Sequence, residues 1–297
     1  MSTAFVFPGQ GSQRPGMGAP WEGSACWSLV EAASDLLGRD VGRLLLLADA
    51  EELRATREAQ VTTFLVSLLV WETLHDLPDV SVVAGHSLGE FTALVAAGVL
   101  TCDDGLMLVG ARGAAMQAAA DSRPGTMAAV LGLEDDAVAT ALEDVEDVWP
   151  ANFNAPSHVV VSGTVEGVTA GGEALKAAGA RRVLPLPVGG AFHTPLMEPA
   201  RERLQVALRE ATYAVPSTPV LSAVTAQPYG EDPAAALAQQ LTAPVRWRQV
   251  LEALPAYGVD RVVELGPGGV LTGLVKRTLP GVRAVSIASP ADLALLG

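Results

Sequence analysis

The sequence predicts an α/β protein with a mostly parallel sheet covered by helices and a smaller unit inserted into it. Short apolar, β-branched runs alternate with longer helical patterns, as they do in parallel sheets. The chain has 297 residues, which is enough to bury a large core. Its middle part follows an order of elements of its own, which indicates the inserted unit.

The elements predicted for the main body flank that middle part on both sides. The strands are predicted at residues 4–7, 81–84, 219–224, 261–265 and 284–287. The helices are predicted at residues 58–76, 88–98, 104–120, 195–211, 246–257 and 269–278.

The middle part is predicted to contain strand, helix, strand, strand, helix and strand. These elements are expected at residues 127–131, 134–143, 148–152, 158–162, 165–178 and 182–186. Their βαββαβ order is that of a ferredoxin-like unit. Proline and glycine loop signals bound it on both sides. We therefore expect a small subdomain at residues 125–187 between the two parts of the body, 1–124 and 188–297.

Composition argues against several classes of partner. The chain has 33 acidic and 19 basic residues and a formal net charge of −14, so it repels nucleic acid and anionic lipid overall. No apolar run approaches the roughly 18 residues that cross a bilayer, and the first residues lack the basic segment of a signal peptide. Cys26 and Cys102 have no neighbours typical of a metal or redox pair. We expect a cytoplasmic protein that binds neither nucleic acid nor membrane.

The sequence around Ser87 predicts a nucleophile. Ser87 stands in Gly85-His86-Ser87-Leu88-Gly89-Glu90, after a predicted strand and before a predicted helix. A serine between two glycines at such a junction is typical of a nucleophile elbow, where the amino end of the helix faces the developing oxyanion. The alternative is an ordinary turn whose serine caps the helix. The strand and helix on either side favour acyl transfer through a serine ester.

A serine nucleophile needs a base, and the chain has four histidines. His75 lies late in a helical pattern and is expected at the surface. His86 adjoins Ser87, and adjacent side chains on a turn usually point apart. His158 begins a strand of the insert, far along the chain from either glycine motif. His193 lies in a loop just beyond the predicted domain junction, so its position favours it over the others.

The loop after the first strand, Pro8-Gly9-Gln10-Gly11-Ser12-Gln13, is a second glycine-rich motif. Its backbone N–H groups can approach an anion, either as a phosphate cradle or as half of an oxyanion hole. The loop matches neither common phosphate-binding pattern. In the second interpretation, the N–H groups of Gln10 and Leu88 are the two donors to the oxyanion.

Five motifs, taken in order, resemble those of one family. They are Phe7-Pro8-Gly9-Gln10-Gly11-Ser12-Gln13, the segment from Gly85 to Glu90, Arg112-Gly113 with Met116-Gln117, Ala191-Phe192-His193-Thr194-Pro195-Leu196-Met197, and Glu264-Leu265-Gly266-Pro267-Gly268. Together they resemble the malonyl-CoA:acyl-carrier-protein transacylases, which include stand-alone enzymes of fatty acid synthesis and related acyltransferases of polyketide synthesis. The resemblance implies an α/β-hydrolase-like body with a ferredoxin-like insert, in agreement with the elements predicted above.

The resemblance also implies a catalytic dyad. Ser87 would take malonyl from coenzyme A as an oxygen ester. His193 would act first as the base and then as the acid that protonates the leaving thiolate. A backbone carbonyl would orient the imidazole, and the resemblance assigns it to Arg246. Backbone N–H groups of Gln10 and Leu88 would hold the oxyanion.

The resemblance makes the substrate concrete through Arg112. Its guanidinium would bind the free carboxylate of malonyl, a planar and bidentate match. Gln60 fits a family position near the acyl pocket. Phe192 would crowd an α-methyl branch and favour malonyl over methylmalonyl, an effect of about 1–3 kcal/mol for one methylene.

Some residues depart from the family pattern or fall outside it. His158 stands where many relatives have glutamine, and Val61-Thr62-Thr63 replaces a run that usually contains proline. Asn152 and Asn154 are expected to satisfy turns of the insert.

The resemblance implies malonyl transfer from coenzyme A to the phosphopantetheine thiol of an acyl carrier protein. We expect a monomer with no metal and no cofactor of its own, since the coenzyme A thioester is a substrate and the partner carries the phosphopantetheine. Carrier proteins are acidic, so a local basic patch would dock them transiently. Its candidates are Lys176, Arg181, Arg182, Arg246, Arg248, Lys276 and Arg277.

Other functions stay open at this point. One alternative is an acyltransferase of a polyketide pathway that acts in trans with another acyl group. A second is an editing acyl hydrolase, in which water is the acceptor. A third is an inactive scaffold that keeps the fold.

Overall fold

The computed structural model describes residues 2–74 and 80–296. Its strands are β1 (Ser2–Phe7), β2 (Val80–Gly85), β3 (Thr126–Leu131), β4 (Val148–Ala155), β5 (His158–Gly163), β6 (Arg182–Pro185), β7 (Val220–Leu221), β8 (Val259–Leu265) and β9 (Arg283–Ile287). Its α-helices are α1 (Ser28–Leu37), α2 (Val41–Leu47), α3 (Thr56–Glu72), α4 (Gly89–Ala96), α5 (Cys102–Ser122), α6 (Asp135–Leu142), α7 (Val165–Ala177), α8 (Glu198–Glu210), α9 (Pro233–Gln240), α10 (Trp247–Ala253) and α11 (Val270–Thr278).

A parallel sheet of order β7-β2-β1-β8-β9 forms the centre of the body. Alternate residues of β1 point to opposite faces, as the strand period requires. Phe5 and Phe7 join one core with Phe64 of α3, whereas Ala4 and Val6 join another around Trp247 of α10. Helices therefore cover both faces, which is why the strands are apolar on both sides.

A second, antiparallel sheet of order β4-β5-β3-β6 forms the insert. Its strands and helices alternate as β3-α6-β4-β5-α7-β6, so the predicted ferredoxin-like order is present. One face packs its valines against α6 and α7. The other face, with Met127, Ala129 and Val160, joins the core of the body. The parallel sheet and the separate antiparallel sheet confirm the predicted fold class, while the boundaries 1–124, 125–187 and 188–297 stay predictions.

Several predicted elements differ in extent. The strand predicted at 219–224 is only the two residues of β7, because the chain turns back: the N–H of Ser222 donates to the carbonyl of Gln227, and Ala226 has a φ of 55°. The helix predicted at 246–257 ends as a 3-10 turn at Leu254–Tyr257, where Pro255 supplies no N–H donor. The helix predicted at 195–211 likewise begins as a 3-10 turn, Pro195–Met197, before α8.

Three helices were not predicted, namely α1, α2 and α9. The helix predicted at 58–76 begins two residues earlier, at Thr56, and its last predicted residues, His75 included, lie outside the described part of the chain. Of the described helices, none is long and apolar enough to span a membrane.

Candidate active site

Ser87 occupies a tight turn between β2 and α4. Its φ is 52°, in the left-handed region that side chains other than glycine rarely adopt. Both flanking glycines are required by close backbone contacts. A Cβ on Gly85 would lie 1.9 Å from the carbonyl carbon of Gly89, and a Cβ on Gly89 would lie 2.0 Å from the carbonyl oxygen of Phe7. The turn thus has the geometry of a nucleophile elbow and not of an ordinary helix cap.

His193 faces Ser87 from a loop that precedes α8. Its Nε2 lies 2.8 Å from the Ser87 Oγ, and its Nδ1 lies 2.9 Å from the carbonyl oxygen of Gln240. Since a carbonyl only accepts, Nδ1 carries the hydrogen and Nε2 is left to accept the serine proton. Burial, assisted by the positive charge of Arg112, lowers the pKa of His193 to about 3. The imidazole is therefore neutral at neutral pH, as a base must be.

The carbonyl that orients His193 is not the one expected. Arg246 was assigned this role, and that assignment is wrong. The Arg246 carbonyl accepts the N–H of Val250, at 3.0 Å, in the first turn of α10, whereas the His193 Nδ1 lies against the Gln240 carbonyl. Gln240 is instead the last residue of α9, where helix carbonyls have no internal donor and carry the negative end of the helix dipole.

Arg112 projects from α5 to the nucleophile and is 1% exposed. Its Nη2 donates to the Ser87 Oγ at 2.9 Å and to the Gln240 Oε1 at 2.8 Å, while its Nη1 donates to the Gln60 Oε1 at 2.8 Å. The guanidinium also lies 5.7 Å from the centre of the Phe91 ring. Burial lowers the pKa of Arg112 to about 10, which leaves a full positive charge beside Ser87 at neutral pH.

The other residues predicted for the site lie around this group. Gln10 and Phe192 line the same cavity as Ser87 and His193. Gln60 is buried behind Arg112, where its Nε2 donates to the Met116 Sδ at 3.2 Å. Leu88 is the N-cap residue of α4. A helix leaves its first N–H groups without an internal acceptor, so the role of Gln10 and Leu88 as oxyanion donors stays a prediction that this placement suits.

The cavity, of about 490 Å³, lies between the body and the insert. Asn152 and Asn154 of β4 and His158 of β5 line it, so the expectation that the two asparagines satisfy turns is wrong. Asn154 Oδ1 lies 2.9 Å from the His86 Nε2. The two asparagines stand at alternate positions of β4, so the sequence did show that they share one face of this strand.

Sequence reasoning also missed a buried group beneath Ser87. The Gln240 Nε2 donates to the Ser87 carbonyl oxygen at 2.9 Å and to the Glu90 Oε1 at 2.8 Å. The hydroxyl of Tyr229 donates to the Glu90 Oε2. Burial raises the pKa of Glu90 to about 7. Gln240 and Tyr229 gave no recognisable motif, since Gln240 ends a helix that was not predicted and Tyr229 lies in a loop.

Metal ligands form no cluster in the described ranges, where no three His, Cys, Asp or Glu side chains are placed to share an ion. The groups that the structure brings together here are a serine hydroxyl, a neutral imidazole, a buried guanidinium and their supporting amides.

Comparisons with known proteins agree on one family. The sequence profile described as "Acyl transferase domain" matches residues 4–293. The malonyl CoA-acyl carrier protein transacylase of Salmonella typhimurium is 42% identical over 98% of this chain and 97% of its own. That of Bacillus subtilis is 38% identical over 98% of this chain and 95% of its own.

Solved structures give the same result. An acyl carrier protein S-malonyltransferase from Vibrio cholerae has a TM-score of 0.94 and 38% identity, with 99% of each chain covered. A malonyl-transacylase solved in complex with a type II PKS acyl-carrier protein has a TM-score of 0.95 and 37% identity, with 99% of this chain and 98% of that one covered.

Proposed function

The chain belongs to the acyl transferase family, and on that premise we propose that it transfers a malonyl group from coenzyme A to the phosphopantetheine thiol of an acyl carrier protein. The observation that carries this proposal is the buried Arg112 guanidinium, 2.9 Å from the Ser87 Oγ. A fixed positive charge beside a serine nucleophile selects an acyl group that ends in a carboxylate. An acyl hydrolase with a broad substrate range has no need of such a charge.

The first half-reaction loads the serine. His193 Nε2 accepts the hydroxyl proton while the Ser87 Oγ attacks the thioester carbonyl carbon. The N–H groups of Gln10 and Leu88 would stabilise the oxyanion of the tetrahedral intermediate, for which one donor contributes about 3–4 kcal/mol. Collapse of the intermediate breaks the C–S bond, and His193 returns its proton to the coenzyme A thiolate. The product is a malonyl ester on Ser87.

The second half-reaction reverses these roles. His193 accepts the proton of the carrier's thiol, and the sulfur attacks the ester carbonyl. Collapse now breaks the C–O bond to Ser87, and His193 protonates the serine oxygen. Throughout, the malonyl carboxylate would stay on Arg112, which limits the positions that the acyl carbon adopts.

Mass spectrometry of the intact protein tests this assignment. After brief incubation with malonyl-CoA, the wild type is expected to carry one malonyl adduct, and Ser87→Ala is expected to carry none. Arg112→Ala is expected to lose most malonyl adduct while its acetyl adduct, formed from acetyl-CoA, persists. An adduct that favours acetyl in the wild type, or that ignores Arg112, would contradict malonyl as the substrate.

The partner is proposed to dock at the mouth of the cavity through basic residues. Arg182 pairs with Leu131, and Leu131 pairs with His158, so these three side chains share the cavity face of the small sheet. The charge of Arg277 contributes to lowering the pKa of His158. Arg182 and Arg277 are both exposed. They therefore flank the cavity wall, where an acidic carrier would deliver its pantetheine arm.

Arg248 is less suited to docking than Arg182 and Arg277. Arg248 forms ion pairs with Asp135 at 2.8 Å and with Glu252 at 3.5 Å, so it connects the insert to the body. We expect Arg277→Ala and Arg182→Ala to raise KM for the carrier about threefold to tenfold while leaving hydrolysis of malonyl-CoA unchanged. Arg283→Ala, at an exposed position on edge strand β9, is the matched control. Equal effects on carrier and hydrolysis would contradict the docking site.

The proposal needs no group beyond one chain and its substrates. The dyad, the guanidinium and their supporting amides come from a single chain, so a monomer suffices. No metal or resident cofactor has a step in the mechanism. Cys26 and Cys102 are free thiols, which supports a reducing compartment such as the cytoplasm.

A further inference from the structure

Glu90 is buried beneath the reacting groups and takes no part in the mechanism above. Its side chain is 0% exposed. Glu90 is the second residue of α4 and follows the nucleophile Ser87 closely in sequence. The Glu90 Oε1 accepts from the Gln240 Nε2 at 2.8 Å, and the Oε2 accepts from the Tyr229 hydroxyl. A buried carboxyl group destabilises the fold unless its hydrogen bonds are made. The burial of Glu90 therefore depends on its bonds to Gln240 and Tyr229.

The hydrogen bonds of Gln240 show what Glu90 does. The Gln240 NH₂ group faces two acceptors, the Ser87 carbonyl oxygen and the Glu90 Oε1, at 2.9 Å and 2.8 Å. Its Oε1 therefore faces the Arg112 Nη2, at 2.8 Å. The amide has one orientation that satisfies all three neighbours. Rotated by half a turn, it would present N–H groups to the guanidinium and oxygen to the two acceptors.

Gln240 also holds the base. Its backbone carbonyl accepts from the His193 Nδ1 at 2.9 Å. The same residue thus connects Glu90 to the nucleophile's backbone, to the base and to the guanidinium. A change in the Gln240 amide therefore affects Arg112 directly and His193 through the end of α9.

We propose that Glu90 is a positioning residue that fixes the orientation of the Gln240 amide and thereby sets how strongly Arg112 selects a carboxylate-bearing acyl group. Tyr229 supports Glu90 from the opposite side. What Glu90 supplies is a hydrogen-bond acceptor at a fixed place. Its negative charge is not required, because a neutral carboxyl or amide oxygen accepts the same bond.

This inference rests on the proposed function, and its test compares two variants of one position. Glu90→Gln keeps an acceptor oxygen toward Gln240, and its new NH₂ group can donate to Tyr229, whose hydroxyl rotates to accept. Glu90→Leu fills the space but offers no acceptor. The measured quantity is the ratio of Ser87 acylation rates with malonyl-CoA and acetyl-CoA, followed by mass spectrometry, because acetyl has no carboxylate for Arg112.

We expect Glu90→Leu to lower the malonyl-to-acetyl ratio about tenfold to a hundredfold, the usual cost of leaving a buried donor, here the Gln240 N–H, without an acceptor. Glu90→Gln is expected to keep the malonyl-to-acetyl ratio within about threefold of the wild-type ratio, a much smaller change than in Glu90→Leu. Tyr229→Phe, which removes only the outer hydrogen bond, is expected to lie between them. Thermal unfolding of each variant separates a selectivity change from loss of the fold.

Two outcomes would overturn the proposal. A ratio unchanged in a folded Glu90→Leu variant would show that Gln240 keeps its orientation without Glu90. Equal losses in the Leu and Gln variants would show that charge, and not a positioned acceptor, is what matters. The wild-type arm keeps the proposed function separate, since a wild type without a malonyl adduct would refute that function and not the role of Glu90.

Discussion

The two walls of the cavity are built in different ways. On the body wall, Ser87, His193 and Arg112 are joined by direct hydrogen bonds of 2.8 to 2.9 Å, and the backbone around Ser87 leaves no room for a side chain at its glycines. On the insert wall, Asn152 and His158 project from neighbouring strands β4 and β5. The body wall positions the reacting atoms, whereas the insert wall shapes the space in front of them.

Hydrogen bonding shows the same difference. On the body wall, Gln240 uses both atoms of its amide and its backbone carbonyl. On the insert wall, the His158 Nδ1 is buried without a hydrogen-bond partner in the described part of the molecule. On the body wall the Arg112 Nε is likewise unpartnered there, although both Nη atoms of that side chain donate hydrogen bonds. A fully bonded group tolerates little change, while a group with an unused donor or acceptor is available to a ligand. We therefore expect substitutions on the body wall to have much larger effects.

The largest loss of stability and activity is expected at Gly89, where a neighbouring backbone atom leaves no room for a side chain. In Gly89→Ala the new Cβ would meet the Phe7 carbonyl oxygen at 2.0 Å, so β1 and α4 must move apart. We expect the free energy of unfolding to fall by about 3 kcal/mol or more, with loss of Ser87 acylation. Denaturant unfolding followed by circular dichroism measures this change.

Gly273→Ala is the matched control for that prediction. Gly273 lies inside α11, and a Cβ there would have no neighbour within 4 Å. The alanine is expected to raise the free energy of unfolding by about 0.5–1 kcal/mol, as it does in helix interiors. Similar destabilisation in both variants would refute the steric argument at Gly89.

The next effect concerns the charge on the body wall. The pKa of His193 is lowered to about 3 by burial first and by Arg112 second. Protonation of His193 removes the base, so activity is lost as pH falls through this pKa. We expect Arg112→Gln to move the acid limb of Ser87 acylation to higher pH, because one cause of the lowered pKa is removed while burial remains. The rate of acylation by p-nitrophenyl acetate, measured against pH, reports the shift.

A charge far from the site provides the comparison for this shift. Arg283→Gln removes an exposed guanidinium on β9 and is expected to leave the acid limb unchanged. If both variants moved the limb equally, the overall charge of the protein and not the contact with His193 would be responsible.

The difference between the walls also explains how much the sequence could predict. The elbow was predictable because its close contacts admit only glycine at two positions, and such constraints leave a motif. The order of the insert was predictable from alternating patterns. The wall residues Asn152 and Asn154 were placed wrongly because nothing in a strand's pattern states which face meets a cavity. That information comes from packing of the insert on the body.

Gln240 illustrates a further limit. Its role depends on where α9 ends relative to His193, 47 positions apart in sequence, and the resemblance placed the carbonyl at Arg246 instead. Asp232 and Pro233 were a readable start signal for α9, since Asp232 accepts the N–H of Ala235 and Pro233 is the first helical residue. The position of the helix end within the site could not be predicted from that signal.

The smallest effect is expected on the insert wall, at His158. Burial and the nearby Arg277 lower its pKa, so the ring is neutral at neutral pH and glutamine, also neutral and polar, is a fair replacement. We expect His158→Gln to change KM for malonyl-CoA by no more than about fivefold, within the range of one neutral hydrogen bond, and to leave the rate of Ser87 acylation at saturating malonyl-CoA unchanged. Stopped-flow acylation at several substrate concentrations separates the two quantities. His158→Leu, which removes the polar group altogether, should raise KM further without lowering that rate. In His158→Gln, a fall of tenfold or more in the acylation rate at saturating malonyl-CoA, about 1.4 kcal/mol, would contradict the distinction between the two walls. The insert wall would then position the reacting atoms as the body wall does.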